Sequence, residues 1–218
     1  MKPYYEHGGI AIYNADCRAL LGDLRADLLL TDPPYGIGAD EAAAKNQGRW
    51  GWKDYGPSNW DRATPEQETF DAMRASCRDA IIWGGNYFTD KLPPSQCWLA
   101  WDKGQREFSL ADFELAWTSF DNASRMVVVP RGRALQDGKV HPTQKSVDVM
   151  RWCVTAVADR YGTKAPISIL DPYMGSGTTL LAAKDLSRNA IGIEVSERYC
   201  ELAALRFSQE VLDLGGAA

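Results

Sequence analysis

The chain has little that a metal site or a disulfide frame could use. Its 218 residues include only two histidines, His7 and His141, and five cysteines (Cys17, Cys77, Cys97, Cys153, Cys200) that are never spaced as CxxC. An odd, scattered set of thiols argues for reduced cysteines in a cytosolic setting, and no metal is expected. No apolar run approaches the roughly 18 residues of a spanning helix, so no membrane partner is expected. The opening MKPYYEHGGI lacks the apolar stretch of about 7–15 residues that a signal peptide needs. Internal repeats, low-complexity tracts and Ser/Gly-rich linkers are also missing, which predicts one domain over 1–218. The formal charge of −5 does not advertise a nucleic-acid partner.

Local charge differs from the total. Residues 125–145 hold Arg125, Arg131, Arg133, Lys139 and Lys145 against the single acid Asp137. A basic patch on an acidic protein can still meet phosphate. The segment 39–64 has no clear period and is rich in Gly, Asn and Trp, which predicts a long loop. Within it Trp50, Trp52 and Trp60 stand among Arg49, Lys53 and Arg62, a pattern that can stack on bases and touch phosphate. The segments 39–64 and 121–140 are therefore the candidate nucleic-acid-contact loops, with Arg49, Trp50, Trp52, Lys53, Arg125, Arg131, Arg133 and Lys139 as contact residues. Trp83, Trp98, Trp101, Trp117 and Trp152 fall on expected strands or a helix and are assigned to core or interface.

The remaining pattern alternates strands and helices. GIAIYNA (9–15) predicts a strand ending at Asp16, and CRALLGDL a short helix. ADLLL (26–30) is a continuous apolar run, as expected of a strand buried on both faces of a parallel sheet. PEQETFDAMRASCR (65–78) predicts a helix capped by Thr64 and opened by Pro65. Strands are expected at 80–85, 96–103, 113–120, 125–130, 166–173 and 190–195, and helices over 146–161, after Gly177 and after Ser196. This order argues an open α/β sheet with helices on both faces.

In such sheets ligands collect at the carboxyl ends of strands. LDPYMGSGTT reads as strand, tight glycine turn and helix start around Asp171, Gly175 and Gly177. It lacks the lysine of a phosphate-binding P-loop and the third glycine of a dinucleotide fingerprint. Glu194 ends the next strand, at about the 20-residue separation from which an acid accepts hydrogen bonds from ribose hydroxyls. The half-site therefore reads as a nucleoside binder. A second acid follows ADLLL in TDPPYGIG (31–38). Pro33 and Pro34 fix their own φ and remove two N–H donors, so the Asp32–Tyr35 turn presents a carboxylate and carbonyls only. Acceptors alone suit an amino group conjugated into a ring, and Tyr35 adds an aromatic face.

These motifs together, TDPPY, HPTQK at 141–145, LDPYMGSGTT and IGIE, resemble the S-adenosylmethionine-dependent DNA amino-methyltransferases, in the permuted β-type group whose catalytic motif precedes the cofactor motif. The match runs from about Ile10 to Arg206. The resemblance implies a class I, Rossmann-like domain with a doubly wound, mostly parallel, seven-stranded sheet and one antiparallel strand. It implies S-adenosylmethionine as cofactor and double-stranded DNA as partner, in the cytoplasm of a bacterial or phage-infected cell. Asp32, Pro33, Pro34 and Tyr35 match the catalytic motif. Asp171, Pro172, Tyr173, Gly175, Ser176, Gly177 and Thr178 match the cofactor loop, with Tyr173 where the family usually has Phe. Glu194 matches the ribose acid, and Asp16 and Cys17 the segment touching the cofactor's adenine. Asp32 also faces the cofactor, and His141, Thr143 and Lys145 belong to the segment holding its methionine end; Ser146 replaces the Pro that usually follows.

The implied reaction methylates an exocyclic amine of a flipped base, whose two hydrogens go to the Asp32 carboxylate and the Pro33 carbonyl. DPPY, with Asp where cytosine enzymes more often carry Ser, points to adenine N6; cytosine N4 remains as the alternative. No cysteine follows a proline as a nucleophile for carbon-5 chemistry would. RNA as substrate and a non-catalytic cofactor- or DNA-binding subunit also stay open. So small a chain leaves room only for a short target, loose specificity or a homodimer that shares recognition.

Overall fold

The computed structural model describes residues 1–38, 61–106, 111–130, 132–133, 144–161 and 167–208. Nine strands form one open sheet among these residues: β1 (Tyr5–His7), β2 (Ile10–Asn14), β3 (Ala26–Thr31), β4 (Cys77–Trp83), β5 (Trp98–Asp102), β6 (Phe113–Thr118), β7 (Arg125–Val128), β8 (Ser168–Asp171) and β9 (Asn189–Glu194). Their order is β1-β2-β9-β8-β3-β4-β6-β5-β7. β1 runs antiparallel to β2, and β6 antiparallel to β4 and β5; the other pairings are parallel.

Nine strands replace the expected seven, and two antiparallel strands the expected one. The additions lie at the edges. Gly8 and Gly9, at φ 57° and 80°, turn the chain back so that His7 pairs Ile10. A Gly-Gly pair between two short strands is a hairpin signal, because both central residues of that turn need positive φ. β7 adds the opposite edge through parallel pairing with β5.

β3 explains its own composition. Both its neighbours, β4 and β8, are parallel to it, and Leu28, Leu29 and Leu30 have no exposed surface. Leu28 and Leu30 join one core cluster and Leu29 the other, so alternating side chains supply both faces. Helices α2 (Val147–Tyr161), α3 (Thr178–Asp185) and α4 (Glu197–Ser208) cover one face, through Val149, Met150, Leu180, Ala183, Ala203 and Phe207. Helix α1 (Gln67–Ala75) covers the other through Phe70 and Met73, together with Leu20, Leu21 and Phe88. Trp83, Trp101 and Trp117 are buried in these cores. No helix among the described residues is long and apolar enough to cross a membrane.

Two local expectations change. CRALLGDL makes only a single 3₁₀ turn, Cys17–Ala19, capped by the Asp16 carboxylate on the Arg18 N–H. A segment this short does not sustain an α-helix against its nucleation cost. Thr64 does not cap α1, whose cap position is Glu66 with no side-chain bond. The Thr64 hydroxyl instead accepts from the Lys91 ammonium. The helix stops at Ala75, and Cys77 opens β4 rather than closing the helix.

The sheet reverses direction between β3 and β8. From β3 the chain crosses to β4 by way of α1 on one face; from β8 it crosses to β9 by way of α3 on the other. Crossovers leaving to opposite faces open a crevice at the carboxyl ends of these two strands, the usual ligand site of a doubly wound sheet.

Candidate active site

The two motif turns meet at that crevice. β3 ends at Thr31 and β8 at Asp171, and the Thr31 hydroxyl donates to Asp171 Oδ1 at 2.8 Å. A cleft of about 680 Å³ opens beside them, within the usual range of small-molecule sites. Asp16, Cys17, Asp32, Pro34, Lys145, Asp171, Pro172, Tyr173, Gly175, Ser176, Thr178 and Glu194 all contribute to its wall. Pro33, Tyr35 and Gly177 are not part of the lining. Gly177 serves packing: a Cβ there would lie 3.0 Å from Ala203 Cβ and 3.2 Å from the Phe207 ring, and its φ is 80°. Its bareness admits α4, not a ligand. His141 and Thr143 lie outside the described residues.

Glu194 joins two loops. Its Oε2 accepts from the Gly175 N–H at 3.1 Å and its Oε1 from the Ser196 N–H at 2.8 Å. Burial raises its carboxyl above the usual range, and the three backbone N–H groups around it oppose the rise. A carboxylate offers about four acceptor positions, so these three N–H groups leave room for a further donor. Asp16 is turned into its own loop, clamped by Arg18. Cys17 and Tyr173 line the cleft together, and burial raises both the thiol and the phenol.

Asp171 is 3% exposed, and burial raises its carboxyl to about 7 despite bonds from Thr31 and the Tyr173 N–H. A folded-state value above the unfolded one, about 3.9, means that the folded chain holds a proton there that the unfolded chain releases between about pH 4 and 7. Stability must therefore fall as pH rises through that window, by at most about 1.4 kcal/mol per unit. Glu114, lowered to about 2, has the opposite sign but acts only below about pH 4.5. Urea unfolding of the protein without ligands should give a higher midpoint at pH 5 than at pH 8. Asp171→Asn should shrink that difference, with Asp32 and Glu194, both raised by burial, supplying what remains; an equal difference in the variant would contradict the assignment.

The second turn is more crowded than an array of open acceptors. The Tyr35 hydroxyl donates to Asp32 Oδ1 at 2.5 Å, and the Lys145 ammonium donates to Asp32 Oδ2 at 2.7 Å and to the Tyr35 oxygen at 3.0 Å. The Tyr35 ring stacks on Tyr87, centroids 4.7 Å apart and 15° between planes. Gly84 is obligatory behind it, since a Cβ there would lie 2.1 Å from Tyr35 Cε1. Lys145 is also ion-paired to Glu114 on β6, 3.0 Å away, and Lys103 holds the other Glu114 oxygen at 2.6 Å. Burial pushes the Lys145 ammonium down, but Asp32 and Glu114 together outweigh it and raise it well above the ordinary lysine range. Burial raises the Asp32 carboxyl, with the Lys145 charge the main opposition. For Glu114 the two lysines win over burial.

Three contributors were invisible to the motif reading. Asp61, 1% exposed, accepts from the Tyr35 N–H at 2.7 Å and the Gly36 N–H at 2.9 Å, the first two donors after the prolines. Glu114 and Lys103 complete the Lys145 site. A charged residue inside the apolar strand FELAWT was a signal for Glu114; nothing local marks Asp61. Of the candidate DNA contacts, Arg125 is exposed on β7 and Arg133 is paired with Asp148 at 2.7 Å; neither lines the cleft. Arg49, Trp50, Trp52, Lys53, Arg131 and Lys139 lie outside the described residues.

The donor set fits S-adenosylmethionine. A buried acid with spare lone pairs suits a ribose diol, a thiol–phenol wall suits a flat base, and carboxylates suit a cationic ligand. Known proteins agree with the architecture. The type II methyltransferase M2.LlaDCHI of Lactococcus lactis subsp. cremoris is 25% identical, with 95% of this chain and 93% of that protein aligned. The crystal structure of an M1.HpyAVI–SAM complex superposes with a TM-score of 0.56 at 22% identity, covering 91% of this chain and 99% of that one. The cytosine-N4-specific PvuII DNA methyltransferase superposes at 0.63 and 16% identity, covering 97% and 90%. Residues 87–205, more than half of the sequence, match the DNA methylase family, and the chain belongs to that family, the S-adenosylmethionine-dependent DNA amino-methyltransferases of adenine N6 or cytosine N4.

Proposed function

We propose that this chain methylates the N6 amine of adenine in double-stranded DNA. The observation that carries the reading is one shared cleft: the acceptor turn of Asp32 and Pro34 and the acid-and-glycine loop of Asp171, Gly175 and Glu194 line the same space. The aspartate opening DPPY favours adenine over cytosine. S-adenosylmethionine, when bound, supplies a methyl group on a sulfonium that needs no further activation.

The chain's own residues do the rest. The base must leave the duplex, at a cost of a few kcal/mol. Tyr35, backed by Tyr87 and outside the cleft lining itself, is the aromatic face assigned to it; stacking of this kind returns roughly 1–3 kcal/mol. The Asp32 carboxylate and the Pro33 carbonyl accept the two amine hydrogens, which draws nitrogen toward tetrahedral geometry and directs its lone pair into the cleft. Asp32, raised by burial, is also suited to take the proton the amine must lose. Glu194 and the Cys17–Tyr173 wall orient the nucleoside end of the cofactor, and Asp171 and Ser176 the loop beneath it. Recognition of DNA falls to segments 39–64 and 121–140.

Tritiated methyl transfer to unmethylated DNA, RNA and protein in parallel tests this. Label should enter DNA and appear, after digestion to nucleosides, as N6-methyladenine. Label found solely as N4-methylcytosine would move the choice of base, and none in DNA would overturn the reaction.

A further inference from the structure

The proposed transfer needs an acceptor position on Asp32, and in the chain alone each of its oxygens already carries a donor, Tyr35 on Oδ1 and Lys145 on Oδ2. The Lys145 ammonium donates to Asp32 Oδ2 at 2.7 Å and to the Tyr35 hydroxyl oxygen at 3.0 Å. It also lies 5.4 Å and 5.7 Å from the ring centroids of Tyr35 and Trp83. An ammonium offers hydrogens and no acceptor, the same polarity as a ring-conjugated amine. On its other side, Glu114 Oε2 is buried and receives no hydrogen bond, although the same nitrogen is 3.0 Å away. Its companion oxygen is held by Lys103. A buried carboxylate oxygen without a donor, that near a cation, is an unusual thing for a folded chain to keep.

We propose that Lys145 is a displaceable occupant of the amine subsite, which turns from Asp32 Oδ2 onto Glu114 Oε2 when the target amine arrives. Outright loss of its partner would leave a buried cation uncompensated, which is strongly unfavourable. Glu114 limits that cost, because the ammonium is paired with both carboxylates at rest and keeps one of them when it leaves Asp32. In the resting arrangement the lysine opposes the rise that burial imposes on the Asp32 carboxyl; in the working arrangement it has vacated the acceptor the amine requires. The charged and titratable groups facing this pocket among the described residues are Asp32, Tyr35, Lys103, Glu114, Lys145 and, through Thr31, Asp171.

This inference rests on the amino-methyl transfer proposed above, and single-turnover methylation at pH 8.5 separates the two. Glu114→Gln is nearly isosteric and strands the ammonium on Asp32; its rate should fall about tenfold or more while cofactor affinity stays within about threefold. Adding Lys145→Met removes the occupant, so the double variant should recover most of that loss. Lys145→Met alone, with Glu114 still paired to Lys103, is read by its pH–rate profile at saturating cofactor. Its acid limb should move up by about one to two pH units, because Asp32 has lost its neighbouring cation. That variant gives the answer even if Glu114→Gln does not fold. A double variant no faster than Glu114→Gln, or a Lys145→Met chain whose acid limb does not move, overturns the exchange. A wild-type chain that transfers no methyl overturns the reaction itself, and the exchange with it.

Discussion

Asp32→Ala should lower the single-turnover rate of methyl transfer by roughly 10²–10⁴-fold, since hydrogen bonds to a charged partner contribute about 1.5–3 kcal/mol and this one also orients the attacking lone pair. Cofactor affinity should change far less, because Glu194, Gly175 and the Cys17–Tyr173 wall remain. The fold should survive as well: Lys145 keeps Glu114 at 3.0 Å, so no buried cation is orphaned. Asp32→Asn keeps an acceptor oxygen but loses the charge, and its rate should fall between the two. Cofactor titration by tryptophan fluorescence, beside rapid-quench measurement of tritium transfer, distinguishes binding from chemistry. A normal rate in Asp32→Ala would remove the carboxylate from the reaction.

Asp61→Ala should be the most damaging change at a residue outside the cleft lining. Pro33 and Pro34 leave their turn without N–H groups, and Asp61 collects the next two, from Tyr35 and Gly36. Removing the carboxylate strands both donors in a site where Asp61 itself is 1% exposed. Leaving such groups unsatisfied costs about 1–3 kcal/mol each, so the urea unfolding free energy should drop by roughly 2–4 kcal/mol. The turn would also drift, and a displacement near 1 Å can slow a positioned reaction by about 10²-fold. Asp61 acts here as a positioning residue. The variant should therefore lose kcat with cofactor binding intact, and Asp61→Asn, which retains one acceptor oxygen, should restore part of it. Equal damage from Ala and Asn, confined to stability, would reduce Asp61 to a structural role.

Much of the fold was legible locally. ADLLL could only be a strand covered on both sides, and the structure pairs it with parallel neighbours on each. The helix over 146–161 followed from apolar residues at helical spacing, and the acid-ended strands at 171 and 194 from the turn chemistry after them. One edge was read less well, whereas the other, expected at 125–130, is strand β7. A three-residue strand such as Tyr5–His7 has no periodicity to detect, and its one cue was the Gly8–Gly9 pair. The helix expected at CRALLGDL failed because tertiary burial of Leu20 and Leu21 outweighs a helix too short to sustain itself.

By itself the sequence determined the alternation of strands and helices, the acceptor-only turn at Asp32 and the acid that follows the glycine loop, because proline, glycine and apolar spacing act over a few residues. Only the tertiary structure decided that β3 and β8 are neighbours, and hence that Asp32 and Asp171 share a crevice. It alone brought Asp61, Glu114 and Lys103 to that crevice from distant parts of the chain. Charges in a buried cluster are chosen by one another across strands, and no local pattern records which carboxylate a lysine will face.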